Sequence, residues 1–408
     1  MLKKIDTRQL QPGMFLHALC GNWMHHPFWR SSFKLTDRAQ IAKILDSGIT
    51  EAMIDTARGL DVAPAAEPPR ATAPVAPAAV RTPAPPAPAT APAPIAAELE
   101  RASSIVAQSR KAVVSMFNEA RMGRAVEADS VMPLVEDISA SVARNPGALI
   151  SIARLKTADD YTYMHSVAVC GLMIALARQL GLDERETRDA GMAGLLHDVG
   201  KMAIPLEVLN KPGKLTDAEF ALVKGHPAAG HEMLLGGKGV SEVALDVCLH
   251  HHEKIDGGGY PHRLAGDAIS LYAKMGAVCD IYDAITSERP YKKGWDPAEA
   301  VHRMAAWSKG HFDERVFQAF VKSVGIYPVG SLVRLHSGRL GVVLEQTGNS
   351  LLTPRVKVFF SLKSQMRVPP EIIDLSRAGG SERIAGQEDP ARWNFADLND
   401  LWGGRPAQ

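Results

Sequence analysis

Cysteine is scarce. Cys20, Cys170, Cys248 and Cys279 are the four in 408 residues, and no two of them form a C-x-x-C pair. This argues against a disulfide framework and against a cysteine-built zinc ribbon, and it suits a reducing compartment. An excess of one charge is also lacking: 46 Lys and Arg stand against 45 Asp and Glu, a net of +1. Bulk charge therefore gives no reason to expect a nucleic-acid polymer or an anionic membrane as partner. Long hydrophobic runs are missing too. The longest uncharged apolar stretch, Val167 to Ala177, is too short to cross a bilayer. The opening Met1-Leu2-Lys3-Lys4-Ile5-Asp6 lacks the apolar stretch of a signal peptide. The expectation is a cytoplasmic protein without a membrane span, which disfavours a secreted scaffold, a channel or a histone-like binder.

What is present supports a large folded core. Apolar residues make up 46% of the chain, and the length suits two or three domains. Composition breaks sharply at 62–95, which holds 11 of the 27 prolines among many alanines. Such a stretch buries no core and reads as a semi-extended linker. Ahead of it, 1–61 reads as a small α+β accessory domain. A strand through Leu16-His17-Ala18 follows the Pro12-Gly13 turn, and a helix follows Thr36-Asp37 with Ile41, Ile44 and Leu45 on one face. Trp23, Phe28 and Trp29 are expected in its core, and His25 and His26 on its surface. Residues 96–144 read as connector helices, either a signalling element or the first helices of the next domain. Residues 145–325 are helical, and Asp160 to Leu180, apolar on nearly every face, marks a helix buried in a bundle. In 326–375 the period changes to two, through Val333, Leu335, Val342, Leu344, Val356, Val358 and Phe360, which predicts a short β appendage. Residues 376–408 read as a polar tail, with a short helix near Trp393–Leu401.

The chemistry concentrates in one region. Eight of the 14 histidines fall between His165 and His262, several with carboxylates beside them. His197-Asp198 ends a buried apolar run, and neutral imidazole with carboxylate suits Fe, Mn or Zn. His226, the run His250-His251-His252-Glu253, Asp280 and Asp283 follow. For His165, His197, Asp198, His226, His251, His252 and Asp280, a purely structural role would bury many polar groups at a cost with no return. The donors are too numerous for one tetrahedral ion. A two-metal site with a bridging carboxylate is the natural reading, and such sites perform phosphoryl chemistry. His231, His262, His302, His311 and His336 read as ordinary core or surface residues, and His250 as a supporting one. Gly257, Gly258 and Gly259 read as a loop needing close approach or positive φ.

In order, Tyr161-Thr-Tyr-Met-His165, His197-Asp198-Val-Gly200-Lys201, Asn210-Lys211-Pro212-Gly213, His226-Pro227, His251-His252-Glu253-Lys-Ile-Asp256-Gly257-Gly-Gly259-Tyr260-Pro261, Asp280-Ile-Tyr-Asp283 and Arg289-Pro290-Tyr291-Lys292 resemble an HD-GYP domain of the HD phosphohydrolase superfamily. Residues 1–61 resemble the small uncharacterised domain that often precedes it in bacterial proteins. The resemblance implies a mainly α HD-type helical bundle and hydrolysis of cyclic di-GMP to pGpG, and often on to GMP. The setting it implies is bacterial second-messenger signalling, including biofilm and motility control. It implies two divalent ions, Fe or Mn, on His165, His197, Asp198, His226, His251, His252 and Asp280, with Asp198 bridging. Lys201 matches the lysine near the scissile phosphate, Arg289 and Lys292 match phosphate-holding residues, and Tyr260 matches a residue lining the substrate pocket. Asp283 either orients a ligand histidine, contacts a guanine or caps a helix. Some members carry a glutamate four residues before the first ligand histidine and hold three metals. Here that position is Tyr161, a poor bridging group, so two metals and the first cleavage are expected. The alternatives are another cyclic dinucleotide as substrate, or an adaptor module that recruits signalling proteins. A homodimer is compatible with either.

Overall fold

The computed structural model describes residues 2–20, 33–46, 51–60, 95–154, 161–211, 213–287, 294–347, 350–377 and 382–403. They fall into two units, Met1–Ala89 and Thr90–Gln408. In the first, strands β1 (Leu2–Asp6), β2 (Phe15–Cys20) and β3 (Phe33–Lys34), helix α1 (Arg38–Asp46) and strand β4 (Glu51–Asp55) build an antiparallel sheet in the order β1-β4-β2-β3. The strand expected at Leu16-His17-Ala18 lies within β2, and the helix expected after Thr36-Asp37 is α1. Asp37 caps that helix by accepting from the Gln40 amide at 2.9 Å. The core is aliphatic: Met14, Leu16, Leu35, Ile44, Ala52 and Ile54 are buried. The aromatic group Trp23, Phe28 and Trp29, His25 and His26, and residues 62–94 of the linker stretch lie outside the described residues.

The second unit is mainly α. Its helices are α2 (Ile95–Arg121), α3 (Met132–Arg144), α4 (Pro146–Arg154), α5 (Tyr161–Leu180), α6 (Glu184–Leu196), α7 (Leu206–Leu209), α8 (Asp217–Val223), α9 (His226–Leu235), α10 (Glu242–His250), α11 (Leu271–Thr286), α12 (Pro297–His311) and α13 (Glu314–Val324). Their starts follow the sequence chemistry. Asp183, Thr216, Ser241, Ser270, Asp296 and Asp313 each accept a first-turn amide, supplying orphan donors with a partner. α5 is the axis, packed by α2, α3, α4, α6, α11 and α13. Tyr163–Leu180 is long and apolar enough to cross a membrane, yet 83% of it is buried inside the bundle, as befits a core helix.

Within the stretch read as a connector, α2 packs on α3, α4 and α5 of the same unit. Glu98 of α2 is fully buried and accepts from Arg144 Nε and Nη2, both at 2.8 Å, and from Ser141 Oγ at 2.8 Å. This ties α2 to α3 inside the same unit. Cys170, Cys248 and Cys279 are buried free thiols, and burial raises all three out of the reactive range.

Strands β5 (Leu332–Leu335), β6 (Arg339–Thr347), β7 (Ser350–Ser361), β8 (Met366–Asp374) and β9 (Ile384–Gln387) form the appendage, an antiparallel sheet in the order β8-β7-β6-β5-β9. The polar-tail reading of 376–408 needs correction here. Residues 384–387 add the edge strand β9 beside β5, while the short helix expected near Trp393–Leu401 is α14 (Leu398–Gly403), which buries Trp402. Four residues carry too little period to show as a strand, so pairing with β5 and the packing of Ile384 against the sheet's aliphatic cluster decide it.

Candidate metal centre

Five elements converge on one buried point. α5 brings His165 from its second turn. α6 ends at Leu196 and places His197 and Asp198 on the turn after it. α9 opens with His226, α10 runs out at His250 and delivers His251 and His252, and α11 supplies Asp280 and Asp283. α6 and α10 both point their carbonyl ends at the site, and that end of a helix favours positive charge. Gly200 makes the approach possible. A Cβ there would fall 1.9 Å from the His226 carbonyl oxygen and 2.4 Å from the Gly230 nitrogen, so only glycine lets the turn after Asp198 lie against α9.

The rings are held so that one nitrogen of each faces inward. His197 Nδ1 donates to the Gly194 carbonyl at 2.8 Å, His226 Nδ1 to that of Val223 at 2.8 Å, and His251 Nδ1 to that of Val247 at 3.0 Å. His165 Nδ1 donates to Asp283 Oδ2 at 2.6 Å. Such partners fix the tautomer and leave Nε2 as a lone pair, the arrangement a metal requires. The inward atoms then lack donors. His197 Nε2 and Asp198 Oδ1 are buried without a hydrogen-bond partner, and the Nε2 atoms of His226 and His251 face each other at 3.4 Å. Acceptors crowded against acceptors in a dry interior are unfavourable unless a cation lies among them.

The donors sort into two groups around one carboxylate. His165, His197 and Asp280 form one, and His226, His251 and His252 the other. Asp198 lies between: Oδ2 is 3.4 Å from both His165 Nε2 and His197 Nε2, while Oδ1 is 3.2 Å from His226 Nε2 and 3.8 Å from His251 Nε2. Asp280 Oδ1 is 3.0 Å from His165 Nε2, and its Oδ2 is 3.8 Å from His252 Nδ1. These residues fit divalent metal, with neutral nitrogen and anionic oxygen donors and no thiolate among the described groups.

The electrostatics agree with the geometry. Burial works against the charged form of Asp198, but Lys201 and His197 outweigh it and hold the carboxyl well below its usual range. Asp280 behaves likewise against His165 and His197. Burial, reinforced by neighbouring imidazoles, keeps His251 neutral and lowers His252 to about 3. For His197, burial is overcome by Asp198 and Asp280, which push it up to about 10. The carboxylate field that favours a proton on His197 favours a metal cation at the same place.

The remaining expected residues separate. Lys201 is in the centre, its Nζ donating to Asp198 Oδ2. Tyr260 stacks on the His252 ring, centroids 4.7 Å apart at 29°. Asp283 Oδ2 accepts from His165, its Oδ1 accepts from Ser287 Oγ at 3.2 Å, and it is buried, an arrangement that favours the histidine-orienting reading among the sequence alternatives. Arg289 and Lys292 lie outside the described residues. Sequence reasoning missed Glu253, which is buried and accepts from the amides of His262 at 2.7 Å and Leu264 at 3.1 Å, clamping the loop that carries Tyr260. Its position beside His252 was the available signal. Gly259 completes the clamp, since a Cβ would fall 2.5 Å from Glu253 Cα. His250 stands behind the site, with Nδ1 2.8 Å from Asp246 Oδ1 and Nε2 3.1 Å from His262 Nδ1.

Comparison with known proteins places this geometry. Residues 139–316 match the HD domain model, and residues 2–131 match a domain of unknown function, DUF3391. The cyclic di-GMP phosphodiesterase PA4108 of Pseudomonas aeruginosa is 56% identical over 405 residues, covering 99% of this chain and 96% of that protein. The cyclic di-GMP phosphodiesterase response regulator RpfG of Xanthomonas campestris is 45% identical over 38% of this chain and 40% of its own. A 3'3'-cGAMP-specific phosphodiesterase 1 of Vibrio cholerae is 35% identical over 40% of this chain and 38% of its own. Identity that runs the length of both chains, over a metal-ready HD cluster followed by its Gly-Tyr-Pro loop, leaves one placement: this chain belongs to the HD-GYP family.

Proposed function

We propose that this chain is a metal-dependent phosphodiesterase that hydrolyses cyclic di-GMP to pGpG. The observation that carries the reading is the pair of donor groups sharing Asp198, in a chain similar along its whole length to a cyclic di-GMP phosphodiesterase. His165, His197 and Asp280 would hold one divalent ion, His226, His251 and His252 the other, and Asp198 both. Fe or Mn suits this nitrogen and oxygen set. When bound, two such ions supply a hydroxide at neutral pH and neutralise phosphoryl charge.

The chain's own residues do the rest. Lys201, on the turn after Asp198 with a fifth of its side chain exposed, is a charged donor positioned for a non-bridging phosphate oxygen. In the resting site it keeps Asp198 anionic. Asp283 holds the His165 ring in its working tautomer. Tyr260, on the loop clamped by Glu253, stacks on His252, whose side chain is partly exposed, and limits water over that face of the ring. Arg289 and Lys292 take the phosphates on this reading, since a planar fork and a point charge both suit them. With Tyr161 in place of a third bridging carboxylate, pGpG is the main product, and further cleavage to GMP is slow. The setting is cytoplasmic second-messenger control of biofilm and motility. An adaptor role, through signalling partners or a homodimer, is compatible with an enzyme that keeps its full donor set.

The test is hydrolysis by anaerobically purified protein with metal content measured on the same sample, and His197→Ala/Asp198→Ala as control. Two equivalents of Fe or Mn and pGpG from the unmutated protein alone support the reading. Full loading with no turnover on cyclic di-GMP or 3'3'-cGAMP moves it to the adaptor.

A further inference from the structure

In the middle of α8, Phe220 is 48% exposed. Lys224 reaches back over it, its Nζ 4.7 Å from the ring centroid, and the same Nζ lies 5.5 Å from the centroid of Tyr260. Tyr260 in turn stacks on His252 of the metal centre. Lys224 is thus one aromatic ring removed from the donor cluster and two residues before His226. It has no carboxylate partner among the described residues. Glu219 of the same helix is taken by Lys211, at 2.7 and 2.8 Å, and by the Thr216 cap. That box and ion pair hold α8 in place while Lys224 stays exposed.

A cation between two ring faces, open to solvent and unneutralised, is suited to a ligand carrying negative charge and flat bases together. A cyclic dinucleotide has a second phosphate beside the one being cleaved, and two purines. We propose that Phe220 and Lys224 form a recognition rim with Tyr260: Lys224 takes the non-scissile phosphate, and Phe220 offers a stacking face to one purine. Stacking of a base on an aromatic side chain and charge-assisted contact to phosphate are the interactions such groups make elsewhere. The inference rests on the proposed cyclic di-GMP reading and adds two specificity-determining residues to it.

The experiment compares the full-length, metal-loaded protein with Phe220→Ala, Lys224→Ala and Lys224→Arg. It measures cyclic di-GMP hydrolysis, hydrolysis of bis(p-nitrophenyl) phosphate, which has neither a purine nor a second phosphate, and equilibrium binding of cyclic di-GMP. The expected result for each alanine variant is a KM for cyclic di-GMP raised about tenfold. The ratio of kcat/KM on cyclic di-GMP to that on the small diester falls by the same factor. Lys224→Arg restores most of the loss. A KM within twofold of the parent in both alanine variants overturns the rim. A misfolded variant is recognised by loss of metal and of small-diester hydrolysis together, and Lys224→Arg against Lys224→Met then carries the comparison. If the parent cleaves the small diester but not cyclic di-GMP, the functional reading fails. The rim then stands or falls on whether cyclic di-GMP binding weakens in the alanine variants.

Discussion

Removing the Asp283 carboxylate separates two of the three roles that the sequence left open. In the structure His165 Nδ1 donates to Asp283 Oδ2 at 2.6 Å, with both side chains buried. Asp283→Ala strands that N–H in a dry site, at about 1–3 kcal/mol for a buried donor left unsatisfied. It also frees the ring to take the other tautomer, which withdraws the Nε2 lone pair from the donor group. Loss of a partner that orients a ligand histidine typically lowers metal affinity or activity about 10–100-fold, or ~1.4–2.7 kcal/mol. Asp283→Asn retains an acceptor for Nδ1–H but loses the charge, so its effect is the smaller. The assay titrates apo-protein with Mn in a chelator-buffered series, reading bound metal and cyclic di-GMP hydrolysis at each point. The expected outcome is a metal midpoint shifted 10–100-fold for Asp283→Ala and less for Asp283→Asn, with KM for substrate close to the parent once metal saturates. An unchanged metal midpoint with a raised KM would falsify the orienting role and return Asp283 to the substrate.

Other outcomes follow from the same geometry. Asp198→Ala is expected to lose both ions by elemental analysis, because its two oxygens serve both donor groups, whereas His252→Ala loses one; equal losses would count against a shared carboxylate. Gly200→Ala sets a Cβ 1.9 Å from the His226 carbonyl oxygen, so it is expected to lower both the thermal midpoint and metal content, by roughly 1–3 kcal/mol or more of overpacking. A soluble variant with parental Tm and loading refutes that packing. Glu98→Ala breaks the buried pair with Arg144 and should cost about 3 kcal/mol in urea denaturation, the low end for such pairs because Arg144 is partly exposed. Burial raises the Glu98 pKa, but Arg144 and Ser141 prevail and hold it below its usual value. Its contribution is therefore present above the ordinary carboxylate pKa and lost as pH falls through the depressed one. Parent stability should drop on acidification below about pH 4.5 more steeply than that of Glu98→Ala, and parallel curves would contradict it.

Much of this molecule is written locally. The turn at Gly13, the caps at Thr216, Ser241 and Ser270, and the apolar character of α5 on nearly every face are short-range chemistry, so many elements of both units are legible residue by residue. The donor set is legible for a different reason. His and Asp at these spacings are too costly to bury without a cation, so their number alone argues for a metal cluster. What the sequence does not contain is direction. Nothing in Asp198 says that one oxygen faces His165 and the other His226; that follows from α6 ending where α9 begins, which Gly200 alone permits. Asp283 could have faced substrate until α11 packed against α5 and turned it onto His165. Glu253 reads as one more surface acid until the chain folds back and brings the His262 and Leu264 amides to it. β9, four residues long, exists because β5 presents an unpaired edge. Local propensity is a property of neighbours in the chain, whereas the aim of a carboxylate, the tautomer of an imidazole and the partner of a short strand are set by groups tens to hundreds of residues away, and only the packed tertiary structure brings those groups within bonding distance.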